Sequence, residues 1–206
     1  VYASPLVGTI TERTLPCNPH PYASSHLAGE FVVLNAAERG EIQSIVMRLS
    51  NAYGAPMHKD VNCWKLVVND LCRQAAQTRR LVLQTSGLQQ RDFVCMTEVC
   101  QVAEALIIAD VGSLKNSIFN VGSGGSQSVL EIATLIQQRC SIVLGFEPFP
   151  DFKQAYADEE QPRLLYLSDH LTSLGIGTKN LDKVIELDEL LRFCHRVFPK
   201  HKSINI

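Results

Sequence analysis

The chain has 206 residues, of which 46% are hydrophobic and 19% charged. That fits one globular domain or one and a half, and is too apolar for a disordered segment. Nineteen basic residues against 21 acidic ones leave a net charge of −2, without the basic excess of a nucleic-acid-binding surface, and no uncharged run reaches the roughly 18 apolar residues of a membrane span.

The short basic clusters Arg79-Arg80 and Lys200-His201-Lys202 read as solvated surface. Seven cysteines, at 17, 63, 72, 95, 100, 140 and 194, form no CxxC pair. Free structural thiols in a reducing cytoplasm are expected. Cys17-Asn18-Pro19-His20 offers half of a metal site with no second half, so no metal is expected. The opening Val1-Tyr2-Ala3-Ser4-Pro5 has neither Met nor a signal-peptide pattern and reads as a chain entered inside a fold.

Residues 5–21, rich in proline, read as a surface loop. From Pro21, the spacing of Tyr22, Leu27, Phe31 and Leu34 predicts a helix that stops at Gly40. A β-branched run predicts a strand over 44–49, followed by a turn over 50–56. A helix is predicted from Trp64 to Gln77, with Trp64 in the core. Strands are predicted at 80–84 and 91–96, then a helix capped by Thr97 and running through Ile108. A strand at 117–121 closes on Gly122-Ser123-Gly124-Gly125. Ser128-Val129-Leu130-Glu131 is a capping box opening a helix to about Arg139, and Ile142-Val143-Leu144 looks strand-like. Residues 147–163 read as irregular. Short helices are predicted at 169–174 and 187–197. Strands alternating with helices predict an α/β fold with a parallel sheet.

Tyr22 and His26 are four apart, so they share one face of the predicted helix. A phenol beside a cationic or hydrogen-bonding partner is a workable general acid/base. The same pair would also serve as plain helix surface.

Five stretches in order widen the view: Val1-Tyr2-Ala3; Pro21-Tyr22-Ala23-Ser24-Ser25-His26-Leu27-Ala28-Gly29-Glu30; Arg48-Leu49-Ser50-Asn51-Ala52-Tyr53-Gly54; Arg91-Asp92-Phe93-Val94; and Phe119-Asn120-Val121-Gly122-Ser123-Gly124. Together, over residues 1–125, they resemble the extended short-chain dehydrogenase/reductase family, the NAD-dependent epimerases and dehydratases of nucleotide sugars. The corresponding family stretches read V-Y-G, P-Y-x-x-S-K-x-x-x-E, R-x-x-N-x-Y-G-P, R-D-F-V-x-V-x-D and F-N-V-G-S-G. The resemblance implies a partial Rossmann-type parallel sheet with a smaller α/β substrate lobe. Residues 1–57, with 101–125 returning to them, would be what remains of the NAD-binding domain, and 58–206 mainly the substrate lobe. It also implies NAD or NADP as cofactor, a nucleotide sugar as substrate, and a homodimer through the 22–39 helix.

The resemblance assigns catalysis and cofactor contact to Tyr22 and His26, and cofactor and substrate contact to Asn51. Substrate contact falls to Asn62, Arg91 and Arg163. Each keeps a plainer alternative: a turn-forming Asn51, a helix-capping Asn62, and surface arginines at 91 and 163. His26 stands where the family has lysine, so it supplies no permanent charge beside the phenol. The family's G-x-x-G-x-x-G turn, its first four strands and the Ser or Thr that shares the proton would all precede Val1. The resemblance therefore implies a truncated enzyme whose isolated chain is inactive and binds NAD weakly or not at all, with a non-catalytic relative that binds a nucleotide sugar or a partner as the alternative.

Overall fold

A computed structural model describes residues 1–109, 117–153, 162–177 and 183–198. Nine strands and six helices are present among them: β1 (Gly8–Ile10), α1 (Pro21–Glu38), β2 (Val46–Leu49), β3 (Asn51–Tyr53), α2 (Val67–Thr78), β4 (Arg80–Leu83), β5 (Gln90–Cys95), α3 (Met96–Ile108), β6 (Ile118–Val121), β7 (Ser126–Ser128), α4 (Val129–Leu144), β8 (Phe149–Phe152), β9 (Leu164–Tyr166), α5 (Asp169–Ser173) and α6 (Lys183–Val197). The predicted α/β architecture is what forms. Strand β1 pairs with β9, β2 with β6, β3 with β5 and β4 with β8, all parallel; β5 pairs with β7 antiparallel. None of the described helices is long and apolar enough to cross a membrane.

The main core lies between α2, α4 and α6 and the strands β3, β4 and β5. Leu71, Cys72, Ala75, Leu81, Phe93, Ile136, Cys140, Leu190, Leu191 and Cys194 are buried together there. A second cluster joins Val94 of β5 to Val99, Val102 and Leu106 of α3, Phe119 and Val121 of β6, and Leu171 of α5. Strand β5 thus feeds both clusters. Phe93 and Cys95 face one side and Val94 the other, as the period of two requires.

One junction decides where a site can form. β2 and β3 are separated by Ser50 alone, yet β2 pairs with β6 and β3 pairs with β5. Ser50 marks the parting. Its N–H donates to the Val121 carbonyl at 2.9 Å and its hydroxyl to Asp92 Oδ1 at 2.6 Å. The run 46–53 is thus bonded to β6 through its first half and to β5 through its second, which leaves part of each half without a strand partner among the described residues.

Several sequence expectations are corrected. Ile142-Val143-Leu144 is the last turn of α4, not a strand; the capped helix runs on until Gly145, whose φ of 70° ends it. Residues 5–21 contain β1, and the stretch 147–163 contains β8; both are short strands held by distant partners. Of that stretch, 154–161 lie outside the described residues. The segment after β2 continues as β3. Helix α2 starts at Val67 with Leu66 at its N-cap, three residues later than Trp64. Trp64 is nonetheless partly buried against the main core and stacks on Phe193. Helix α3 is capped by Cys95, whose N–H donates to the Glu98 carboxylate at 3.4 Å, and Thr97 lies inside the helix.

Candidate active site

Helix α1 begins with Pro21 in its first turn, where a missing N–H costs nothing. His20 caps it, its Nδ1 accepting the Tyr22 N–H at 3.2 Å. One turn on, the Tyr22 and His26 rings meet with centroids 4.4 Å apart and planes tilted by 53°. The face shared by positions i and i+4 thus becomes an actual contact. Both rings are open to solvent, Tyr22 with 69% of its surface exposed.

The two rings line a cavity of about 900 Å³, between α1 on one side and β2, Ser50 and β3 on the other. Ser25, Glu30, Arg48, Asn51, Asp92 and Tyr166 also reach it. Asn51 is fixed within it, its Nδ2 donating to the Asp92 carbonyl at 2.9 Å, which leaves Oδ1 as the acceptor. Asp92 is almost fully buried. Its carboxylate accepts from the Ser50 hydroxyl, the Ser123 N–H at 2.8 Å and the Ser123 hydroxyl at 3.0 Å. The glycine run that follows β6 therefore folds as a turn around Asp92. Gly122 is needed there, because a Cβ would lie 2.5 Å from Tyr166 Cδ1.

Behind the cavity is a buried polar cluster. Arg48 makes a two-pronged ion pair with Glu30: Nε donates to Oε2 at 3.0 Å and Nη2 donates to Oε1. Its Nη1 donates to the Tyr2 hydroxyl at 2.8 Å, and the guanidinium lies 5.0 Å from the centroid of the Tyr2 ring. Tyr2 donates to Asn120 Oδ1 at 2.7 Å, and Tyr166 donates to the Arg48 carbonyl at 2.9 Å. Burial opposes the Arg48 charge, but the bonds from Glu30 and Tyr2 outweigh it and hold its pKa above the ordinary arginine value. Burial dominates at Tyr2 and Tyr166 and raises both phenols, so both stay protonated near neutrality.

The structure brings together Tyr22, His26 and Asn51 of the expected residues. Asn62, Arg91 and Arg163 do not line this cavity. Asn62 is exposed ahead of α2 and does not cap it. Arg91 precedes Asp92 on β5, on the strand face opposite to it. There its Nε and Nη2 both donate to Gln89 Oε1, at 3.1 and 2.7 Å, and burial lowers its pKa. Arg163 is exposed, and its carbonyl accepts the Gly8 N–H at 2.8 Å. Sequence reasoning gave no role to Tyr2, Glu30, Arg48, Asn120 or Tyr166. The first four lay inside the quoted stretches, and the signal that could have flagged them was a Glu and an Arg in segments that line one cavity.

A family model described as the NAD dependent epimerase/dehydratase family matches residues 1–122. The dTDP-L-rhamnose 4-epimerase of Burkholderia thailandensis is 27% identical over 165 residues, covering 80% of this chain and 43% of that protein. The dTDP-6-deoxy-L-talose 4-dehydrogenase (NAD(P)(+)) of Kitasatospora kifunensis is 28% identical over 144 residues, 68% of this chain and 44% of that one. The chain spans less than half the length of these two relatives. Among solved structures, RMD from Pseudomonas aeruginosa complexed with NADPH matches with a TM-score of 0.69 at 21% identity, over 91% of this chain and 60% of its own. UDP-glucuronic acid 4-epimerase from Bacillus cereus in complex with NAD matches with a TM-score of 0.69 at 18% identity, over 93% and 57%. At such identities the likeness is one of fold. The model match over more than half of the chain, on the stretches that build the cavity, shows that this protein belongs to the NAD dependent epimerase/dehydratase family.

Proposed function

We propose that these residues form the C-terminal part of an NAD- or NADP-dependent epimerase or dehydratase acting on a nucleotide sugar. The observation that carries this is the contact of Tyr22 with His26 on the wall of a cavity that Asn51 also lines. At about 900 Å³, the cavity is within the range that takes a small-molecule ligand. The groups present fit a nicotinamide ribose: a phenol and an imidazole, and the Ser25 hydroxyl, which donates to the Tyr22 carbonyl at 2.9 Å and keeps its lone pairs as an acceptor. When bound, the dinucleotide supplies an acceptor for the electron pair of a C–H bond of the sugar. Tyr22 takes the proton of the sugar hydroxyl, and His26 orients the phenol and donates to a ribose hydroxyl. Asn51 accepts from the substrate or the carboxamide through Oδ1.

Arg91 is proposed to grip the substrate diphosphate on its position in the chain, its guanidinium being bonded to Gln89 in this structure. Asn62 and Arg163 complete the proposed substrate contacts on their position in the chain alone. The domain division proposed is 1–57 with 101–125 toward the cofactor, and 58–206 toward the substrate. The pairing of β2 with β6 supports it. A homodimer through the 22–39 helix is proposed from its exposed Phe31, Val32 and Val33. A cytoplasmic location is proposed from seven free thiols, four of them buried.

One observation favours a second reading, a non-catalytic relative that binds a nucleotide sugar: histidine at 26 in place of the family's lysine. The two readings separate in the full-length protein supplied with NAD and NADP and a panel of nucleotide sugars. Tyr22→Phe should lower turnover on the order of 10²–10⁴-fold. His26→Lys should keep or raise turnover, because it restores a permanent charge beside the phenol. Full activity in Tyr22→Phe would discard the catalytic reading.

A further inference from the structure

Helix α1 carries both proposed reacting side chains, yet of its eighteen residues only Ala23 and Glu30 are buried. Glu30 lies four residues after His26 and eight after Tyr22, on the same face of the helix. It is the one charged side chain that α1 buries, and it goes to Arg48 of β2, three residues before Asn51. Both side chains are almost fully enclosed, with 7% of Arg48 and 6% of Glu30 exposed. Arg48 is held independently of α1. Tyr2 accepts from it at 2.8 Å, the Glu12 carbonyl accepts from it at 3.4 Å, and Tyr166 donates to its own carbonyl at 2.9 Å.

We infer that the Glu30–Arg48 pair is the latch that sets α1 over β2, and that Glu30 is a positioning residue for Tyr22 and His26. Two parallel bonds between a planar guanidinium and a carboxylate fix direction as well as distance. A single bond or a neutral partner would let the helix pivot about Ala23. The apolar side chains on that face of α1 add little to fix it, since Leu27, Leu34 and Ala37 are only partly buried and Phe31, Val32 and Val33 are exposed. Reaction rate is sensitive to such a pivot, since a displacement near 1 Å can cost about 10²-fold.

The catalytic part of this inference rests on the function proposed above; the latch itself does not. The test is amide hydrogen exchange, resolved by segment, on the full-length protein and its Glu30→Gln, Glu30→Asp and Arg48→Lys variants, with turnover measured in parallel. In Glu30→Gln, residues 21–38 should lose protection at least about tenfold while α2, α4 and α6 keep theirs. The kcat should fall at least about tenfold, with KM for the nucleotide sugar changing far less. Glu30→Asp keeps the charge and should recover part of both. Arg48→Lys, which keeps charge but loses the fork, should loosen α1 as Glu30→Gln does. Unchanged exchange in α1, or loosening of α1 and the core together, would overturn the latch. Loosening of α1 with kcat intact, while Tyr22→Phe is impaired, would overturn the positioning role. If Tyr22→Phe is fully active, the proposed chemistry fails and the exchange data still decide the latch.

Discussion

Gly122 follows β6 where the chain turns between two rigid groups, the Tyr166 ring and the Asp92 carboxylate. A Cβ at this position would meet Tyr166 Cδ1 at 2.5 Å and Asp92 Oδ1 at 3.0 Å. Neither neighbour can retreat. The Tyr166 hydroxyl donates to the Arg48 carbonyl at 2.9 Å and lies 3.1 Å from Asn120 Oδ1, and Asp92 is bonded to Ser50 and Ser123. Gly122→Ala should therefore destabilise the fold by about 1–3 kcal/mol, the usual cost of overfilling a packed site. Urea unfolding reads this directly, and an unchanged midpoint would mean that the turn has more room than its distances allow. In the sequence, Gly122-Ser123-Gly124-Gly125 advertised a turn and nothing more. That its first glycine touches the polar cluster depends on Tyr166, 44 positions away, in a segment that carried no motif.

At the scale of elements, helices were the more legible. The capping box Ser128–Glu131 opens α4 as its spacing predicts. The Ser128 hydroxyl accepts the Glu131 N–H at 3.0 Å, and the Glu131 carboxylate accepts the Ser128 N–H at 2.6 Å. Ser128→Ala should cost about 1 kcal/mol in urea unfolding, the ordinary worth of such a cap. Capping, helical period and glycine stops are local, so one window of sequence contains the whole signal. The short strands β1, β3, β8 and β9 have three or four residues each and offer no period to read. Their backbone groups are satisfied by partners far along the chain, as the Gly8 N–H by the Arg163 carbonyl and the Phe149 N–H by the Arg79 carbonyl. Ile142-Val143-Leu144 misled for the reason that β-branched residues favour strands only weakly, and a helix already running continues through them until a glycine stops it.

For the whole molecule, the thiols make a prediction about alkali. Burial raises Cys140 and Cys194 to about 12 and Cys95 to about 11, and pushes Cys72 up as well. An unfolded thiol titrates near ~8.5. The folded values are higher, so the folded chain keeps protons that the unfolded chain releases. Stability from this source is intact below about pH 8.5 and is lost as pH rises toward 12, by up to about 1.4 kcal/mol per pH unit for each thiol. Urea unfolding at pH 8 and pH 10.5 should show the fall, and replacing Cys140 and Cys194 by alanine should reduce its slope. Equal slopes would mean that the thiols are not linked to folding. The amino-acid sequence by itself determined the α/β class, the main helices, the strands β2, β4, β5 and β6 and the Tyr22–His26 pair, because each is written in neighbours no more than a few turns apart. Only the tertiary structure decided that β2 and β3 take different partners on either side of Ser50, that a cavity beside α1 is lined by Tyr22, His26 and Asn51 and not by Asn62, Arg91 or Arg163, and that Arg48 and Glu30 tie its two walls together. Those relations join residues by through-space geometry across separate strands and helices, and such geometry exists only once the strands have chosen their partners.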